Sequence, residues 1–229
     1  MNATAGSIAV YLETENPGEW REPEARALFL EKNIPSGDEP VRAGPVVASR
    51  SGYAGFIVCA PSPAGYARLA LGLTSLFSKT IEGPGGRCRV VRVNADPSAH
   101  PWVRVVRCRR GGTERPLHSP VRLRTWTPLV RPFSILNEIR EAEMILGLTS
   151  SWVGSVEGEV PGWSITSVRL VNGTDNKDFM FGSVELWSRH PMAGRILDVA
   201  ILKGFGTDKG KGYGHLDIVP RKGSDRNCV

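Results

Sequence analysis

Lys203-Gly204-Phe205-Gly206-Thr207-Asp208-Lys209-Gly210-Lys211-Gly212-Tyr213-Gly214 is the stretch that decides how this chain is read. Its pattern is G-x-G-x(5)-G-x-G, with five glycines from Gly204 to Gly214 and three lysines in the quoted span. Glycines at this density let a backbone turn sharply, take positive φ and approach a ligand closely. Open amides with lysines around them suit a phosphate backbone. The plainer reading is a flexible turn with solvated lysines.

Two nucleotide motifs fail here. A P-loop needs Gly, four residues, then Gly-Lys-Ser/Thr, and no register supplies it. A dinucleotide fingerprint needs G-x-G-x-x-G opening a helix, but Lys209 stands at its sixth position. Too little chain follows for a βαβ unit.

Outward from the loop, the pattern predicts a helix from Met192 to Lys203 before it and a short strand, Leu216 to Val219, after it. Strands are expected at Val121–Trp126, Trp163–Val171 and Phe179–Trp187, with a helix from Ser134 to Leu148. Val121-Arg122-Leu123-Arg124-Thr125-Trp126 alternates as a half-exposed strand does. Trp126, Trp163 and Trp187 are expected in the core. The order β-α-β-β-α-β specifies a ferredoxin-like unit.

The first half repeats the theme less clearly. Ser7–Leu12 and Phe56–Ala60 read as strands, and Glu22–Lys32 as a helix, with Ala25, Leu28 and Phe29 at i, i+3, i+4. Ser62-Pro63 opens a helix to about Lys79, Ser as N-cap and Pro at its first position. Leu69, Leu73, Leu76 and Phe77 line its core face. The Gly/Pro-rich passage Ile34–Gly55 reads as loop, and Cys88–Val93 with Trp102–Cys108 as paired strands. The fold class is therefore α+β, with two ferredoxin-like units in tandem over 1–119 (diverged) and 120–229, the latter carrying the glycine-rich loop 204–214.

The chain has 229 residues, a net charge of +6 and a pI near 9.4, a balance that favours a polyanionic partner. Ten arginines fall between residues 87 and 124 against Asp96 and Glu114 alone. Arginine's planar fork binds phosphate bidentately and stacks on bases; a solvated basic face is the alternative. The sequence shows no apolar run of membrane-spanning length and no signal-peptide pattern, so a cytoplasmic location is expected. Cys59, Cys88, Cys108 and Cys228 form no C-x-x-C pair, and neither a zinc module nor G-x-S-x-G is present.

The loop, in this place, resembles the C-terminal glycine-rich loop of the CRISPR-associated RAMP superfamily, most closely its repeat-processing endoribonuclease branch. Gly204, Gly206, Gly212, Tyr213 and Gly214 match residue by residue, and the strand Gly182–Trp187 supplies the matching upstream context. The resemblance covers about residues 120–220. It implies an RNA partner (CRISPR repeat and mature crRNA), other effector subunits, and no cofactor, metal or membrane. It also implies attack of a 2′-hydroxyl on the adjacent phosphate, giving a cyclic phosphate and a 5′-hydroxyl. The RNA-binding candidates are Gly204, Gly206, Lys209, Gly210, Lys211, Gly212, Tyr213, Gly214, Arg104, Arg107, Arg109, Arg110, Arg122 and Arg124.

The branch usually draws a general base from an N-terminal histidine. Here the histidines are 100, 118, 190 and 215, so that base is missing from its place. Arg21, Arg26, Arg42 and Tyr53 are the catalytic candidates in its stead, the arginines as stabilisers of phosphorane charge rather than proton acceptors. An arginine-dependent enzyme of the type IV lineage fits this best. His215 and His118 are the alternatives as base, and a non-catalytic RAMP subunit that holds crRNA is the alternative function.

Overall fold

The computed structural model describes residues 4–108, 115–148 and 162–219. It contains two antiparallel sheets. In the first, β1 (Thr4–Thr14), β2 (Arg42–Arg50), β3 (Tyr53–Ala60), β4 (Thr80–Gly83) and β5 (Gly86–Asn94) lie in the order β2-β3-β1-β5-β4, with β6 (Val105–Arg107) on the far end of β1. Helices α1 (Pro23–Asn33) and α2 (Pro63–Leu76) cover one face. In the second, β7 (Val121–Thr125), β8 (Leu129–Val130), β9 (Trp163–Asn172), β10 (Phe179–Ser188) and β11 (Leu216–Ile218) join α3 (Ile135–Ile145) and α4 (Ala193–Lys203). Its strands run β11-β7-β10-β9, with β8 also on β10.

Both sheets thus carry the ferredoxin-like order, so the first half is a full unit rather than a remnant. Local signals explain several elements. Ser62 accepts the Gly65 amide at 3.1 Å ahead of Pro63, and Ser134 caps α3 in the same way. Leu69 and Leu73 are buried as expected, but Phe77, beyond the end of α2, is 50 % exposed.

Three expectations need correction. The passage 34–55 contains β2 despite Gly44 and Pro45: it is an edge strand whose register against β3 shifts between Ala43 and Val46 and again between Val46 and Ala48. Proline is tolerated at such an irregular edge because it has no ladder hydrogen bond to lose. β6 pairs with β1, not with β5. β5 lies between β1 and β4 instead, so Cys88 and Cys108 do not face each other across a hairpin. Finally, Trp126 is 44 % exposed, whereas Trp163 is buried.

α4 sets the arrangement of the two units. From Ala193 to Leu202 every residue is buried; the two charged residues among them, Arg195 and Asp198, are held by the Arg107 carbonyl and by Arg104 and Arg115. It packs on α3 and its own sheet, and also against β1, β3 and β6 of the first sheet. One hydrophobic core therefore runs from Leu123, Val184 and Leu186 through α4 to Ala5, Ala9 and Ile57. A second, separate core lies under α1 and α2, where Trp20, Phe29 and Phe56 pack ring to ring within 5.9 Å.

Candidate functional site

The glycine loop leaves α4 and returns to β11 between the two units. Gly204, Gly206, Gly212 and Gly214 have φ of 84°, 84°, 86° and 73°, a region that side chains strain to adopt. Space forbids a side chain too. A Cβ on Gly214 would meet the Phe205 carbonyl at 1.9 Å, and one on Gly212 the Pro23 carbonyl at 2.6 Å. One on Gly206 would meet the Val130 carbonyl and one on Gly204 the Arg42 guanidinium, each at 2.8 Å. Only at Gly210 is there open room.

The amides in this loop are mostly not open, which corrects the phosphate-cradle expectation. Gly204, Phe205, Gly206, Thr207, Lys211, Gly212, Gly214 and His215 all donate to protein acceptors. Gly206, for example, donates to Glu138 Oε1 at 3.1 Å and Gly214 to the Pro128 carbonyl at 2.8 Å. Exposure is confined to the tip, at Asp208, Gly210 and Lys211.

The lysines are largely paired. Lys209 donates to both oxygens of buried Glu138 at 2.9 and 3.0 Å, and Lys203 donates to Glu138 and Glu141. Burial and the neighbouring Lys203 push the Lys209 ammonium below its ordinary pKa. Lys203 is held above its own because Glu138 and Glu141 outweigh its burial. Lys211 alone projects outward, 3.3 Å from Asp208. Tyr213 is a packing anchor: it is 7 % exposed, its hydroxyl donates to Glu24 on α1, and its ring lies 5.0 Å from Phe179. Burial and the carboxylate push that phenol up.

The four N-terminal candidates part company. Arg26 is 1 % exposed and donates to the carbonyls of Gly44, Trp20 and Arg21 at 2.9, 2.6 and 2.7 Å; burial lowers its pKa to about 10. Arg42 is 3 % exposed. It donates to the carbonyls of Ile201 and Leu202, capping the C-terminal end of α4, and reaches His215 Nδ1 at 3.1 Å. Both guanidiniums are enclosed in protein. Arg21 is exposed, two residues before the Pro23 on which Gly212 packs. Tyr53 lies apart from the loop, under Arg50, beside a shallow depression of about 400 Å³ lined by Glu13, Arg87 and Arg89.

The central arginines divide likewise. Arg104 is an ion-pair partner of Asp217 and stands 3.5 Å from Asp198, which Arg115 also holds. Arg107 is exposed, though its carbonyl accepts from Arg195. Arg122 and Arg124 both stand exposed on the open face of β7. Arg109 and Arg110 lie outside the described residues, as does Cys228.

Two histidines lend their Nδ1 to the chain itself: His100 accepts the Trp102 amide at 3.3 Å and His190 the Met192 amide at 3.0 Å. His215 is 2 % exposed, and burial, with Arg42 beside it, lowers its pKa to about 4. His118 is exposed in the connector between the units. Among the described residues no group of His, Cys, Asp or Glu is placed to hold a metal, and no helix is long and apolar enough to cross a membrane.

Glu138, which organises the loop, and Asp217, which pairs with Arg104 beside His215, carry no role in the sequence analysis. A signal existed for the first: Glu138 sits on the apolar face of α3 with Ile135, Ile139 and Ala142, a place where a carboxylate needs partners.

No protein-family model matches the chain, and no curated protein matches it. Solved structures do. Cas6 (TTHA0078) in a substrate mimic complex aligns with 96 % of this chain and 100 % of its own, at TM-score 0.59 and 22 % identity. The chain has the Cas6 fold. A Cas6 (TTHB231) product complex aligns at TM-score 0.57 and 14 % identity over 96 % of this chain and all of its own. A Cas6-related protein from Pyrococcus furiosus aligns at 0.51 and 8 % over 95 % and 99 %. The Cas6 fold accounts for both ferredoxin-like units together, not for the second alone.

Proposed function

We propose that this chain is a CRISPR repeat-processing endoribonuclease that acts in the cytoplasm, cuts precursor RNA within the repeat and keeps hold of the mature crRNA. The observation that carries this is the glycine loop. Two of its four positive-φ glycines, Gly204 and Gly212, pack on Arg42 and Pro23 of the first ferredoxin-like unit, while Gly206 and Gly214 pack within the second, in a fold shared with Cas6 proteins seen with a substrate mimic and with product. Cleavage proceeds by attack of the 2′-hydroxyl on the adjacent phosphorus. The O2′–P bond forms, the P–O5′ bond breaks, the 2′ proton passes to solvent and O5′ is protonated. No metal is needed, since cationic side chains can neutralise the phosphorane. Of the three candidate arginines Arg21, Arg26 and Arg42, Arg21 is the one exposed to meet RNA, with Lys211 at the loop tip. Arg26 and Arg42 act from behind, by fixing α1, α4 and the loop.

A non-catalytic subunit that grips crRNA beside effector partners is favoured by one observation: no described histidine is placed as a free base at the loop. The deciding experiment incubates the purified chain with repeat-containing RNA in EDTA and maps the product ends. A 5′-hydroxyl and a cyclic phosphate, formed by protein alone, are expected. RNA that binds but stays intact, under single-turnover conditions with or without Mg²⁺, overturns the nuclease in favour of the subunit.

A further inference from the structure

Rings and guanidiniums run in contact across the junction of the two units. Arg92 on β5 lies 5.6 Å from the centre of the Tyr11 ring on β1. Tyr11 lies 6.5 Å from His100, His100 6.2 Å from Trp102, and Trp102 4.6 Å from Trp126. Arg124 on β7 then stands 5.8 Å over Trp126. None of these ring pairs is parallel, the angles being 68°, 65° and 58°. No ring's face is covered by its neighbour's face, though Tyr11 is packed between Arg92 and Gly55 and Arg124 lies over Trp126.

The stripe is both fixed and accessible. The loop carrying His100 and Trp102 is pinned to β1 at Ser7: the Ser7 hydroxyl donates to the Trp102 carbonyl at 3.0 Å and accepts the Arg104 amide at 2.9 Å. The Ser7 amide donates to the Arg104 carbonyl at 2.9 Å. Arg92, Arg124 and Trp126 are exposed, while Tyr11, His100 and Trp102 are half-buried. Neither Arg92 nor Arg124 forms an ion pair among the described residues, so their charge remains for a ligand. Because His100 Nδ1 accepts a backbone amide, the ring proton sits on Nε2, a donor.

We propose that this stripe is a stacking platform for unpaired nucleotides of the RNA, which lie across both units with phosphates on Arg92 and Arg124. The inference rests on the RNA-processing reading and adds where single-stranded substrate goes. Rings at a fixed surface offer bases a π-face, worth about 1–3 kcal/mol per stacked base and indifferent to sequence. Arginine adds cation–π and phosphate contacts. A duplex gains little here, since its bases are already stacked on each other.

The test measures binding of a short oligouridylate and of a stable RNA hairpin, by anisotropy, to the intact chain and two variants. Trp126→Ala and Arg124→Gln should each weaken oligouridylate about tenfold, the equivalent of about 1.4 kcal/mol, and leave the hairpin within about twofold. Both side chains are exposed, so the fold should survive, and oligouridylate should quench tryptophan fluorescence less in Trp126→Ala. Unchanged oligouridylate binding in both variants overturns the platform, even if repeat RNA is still cleaved. Equal loss on both RNAs also overturns it, in favour of general electrostatic attraction. If the variants bind RNA normally but lose a co-purifying protein, the stripe is a protein interface instead. Should the intact chain bind neither RNA and cleave no repeat, the RNA-processing reading falls, and the platform with it.

Discussion

Arg42 and Arg124 are arginines on strands of two similarly built sheets, and they have opposite surroundings. Arg42 is buried against the carbonyl end of α4 and His215; Arg124 is exposed above Trp126. In each the guanidinium meets what its surroundings lack. Inside, orphan helix carbonyls need a donor; outside, a ring face meets a cation. Arginine count alone therefore overstates the surface charge offered to RNA, because Arg26, Arg42 and Arg104 hold the protein together.

That contrast can be broken most severely at Arg42. Arg42→Met strips the α4 end of its donor and should cost about 3 kcal/mol of stability, seen as a fall in the urea midpoint. A variant as stable as the parent would mean the cap contributes nothing.

A pH titration sharpens the same comparison. His215 is neutral when folded because burial and Arg42 lower its pKa from 6.5 to about 4. In that window the unfolded chain takes up the proton first, so stability is full above about pH 6.5, falls as pH drops towards 4, and then levels off for this group. The loss should be on the order of 2 kcal/mol by about pH 4.5, and His215→Gln should flatten it. Asp217, held below the usual carboxylate range by Arg104 against the effect of its burial, contributes only at lower pH.

The smallest stability effect belongs to Arg124→Gln, which should stay within about 0.5 kcal/mol of the parent. It should instead reduce the slope of log affinity for RNA against log salt by about 1. Lost stability without a changed slope would place Arg124 with the buried arginines.

Much of the fold was legible because periodicity and caps are local. The alternation of 121–126, the Ser62-Pro63 start and the glycine spacing each point to the element observed. β2 was hidden by Gly44 and Pro45, whose usual message of loop is overridden where an edge strand bulges. The candidate site was legible in its glycines but not in their purpose. Gly214 is required because Phe205 crosses it, and no local pattern reveals such an approach. The burial of Arg26 and Arg42 depends on packing between distant segments, which composition does not encode. Trp126 departs from the rule that an aromatic on a strand points inward, because it shares the alternation of Arg122 and Arg124, which stand outside.

α4 carries one further consequence. Lying between both sheets, it serves as the middle layer of the molecule. A chain cut in the connector would leave the first half with Ala5, Ala9 and Ile57 bare on one sheet face, and the second with the flank of α4 that covered them. The shared core thus couples the melting of the two halves, even though the first half has a core of its own under α1 and α2.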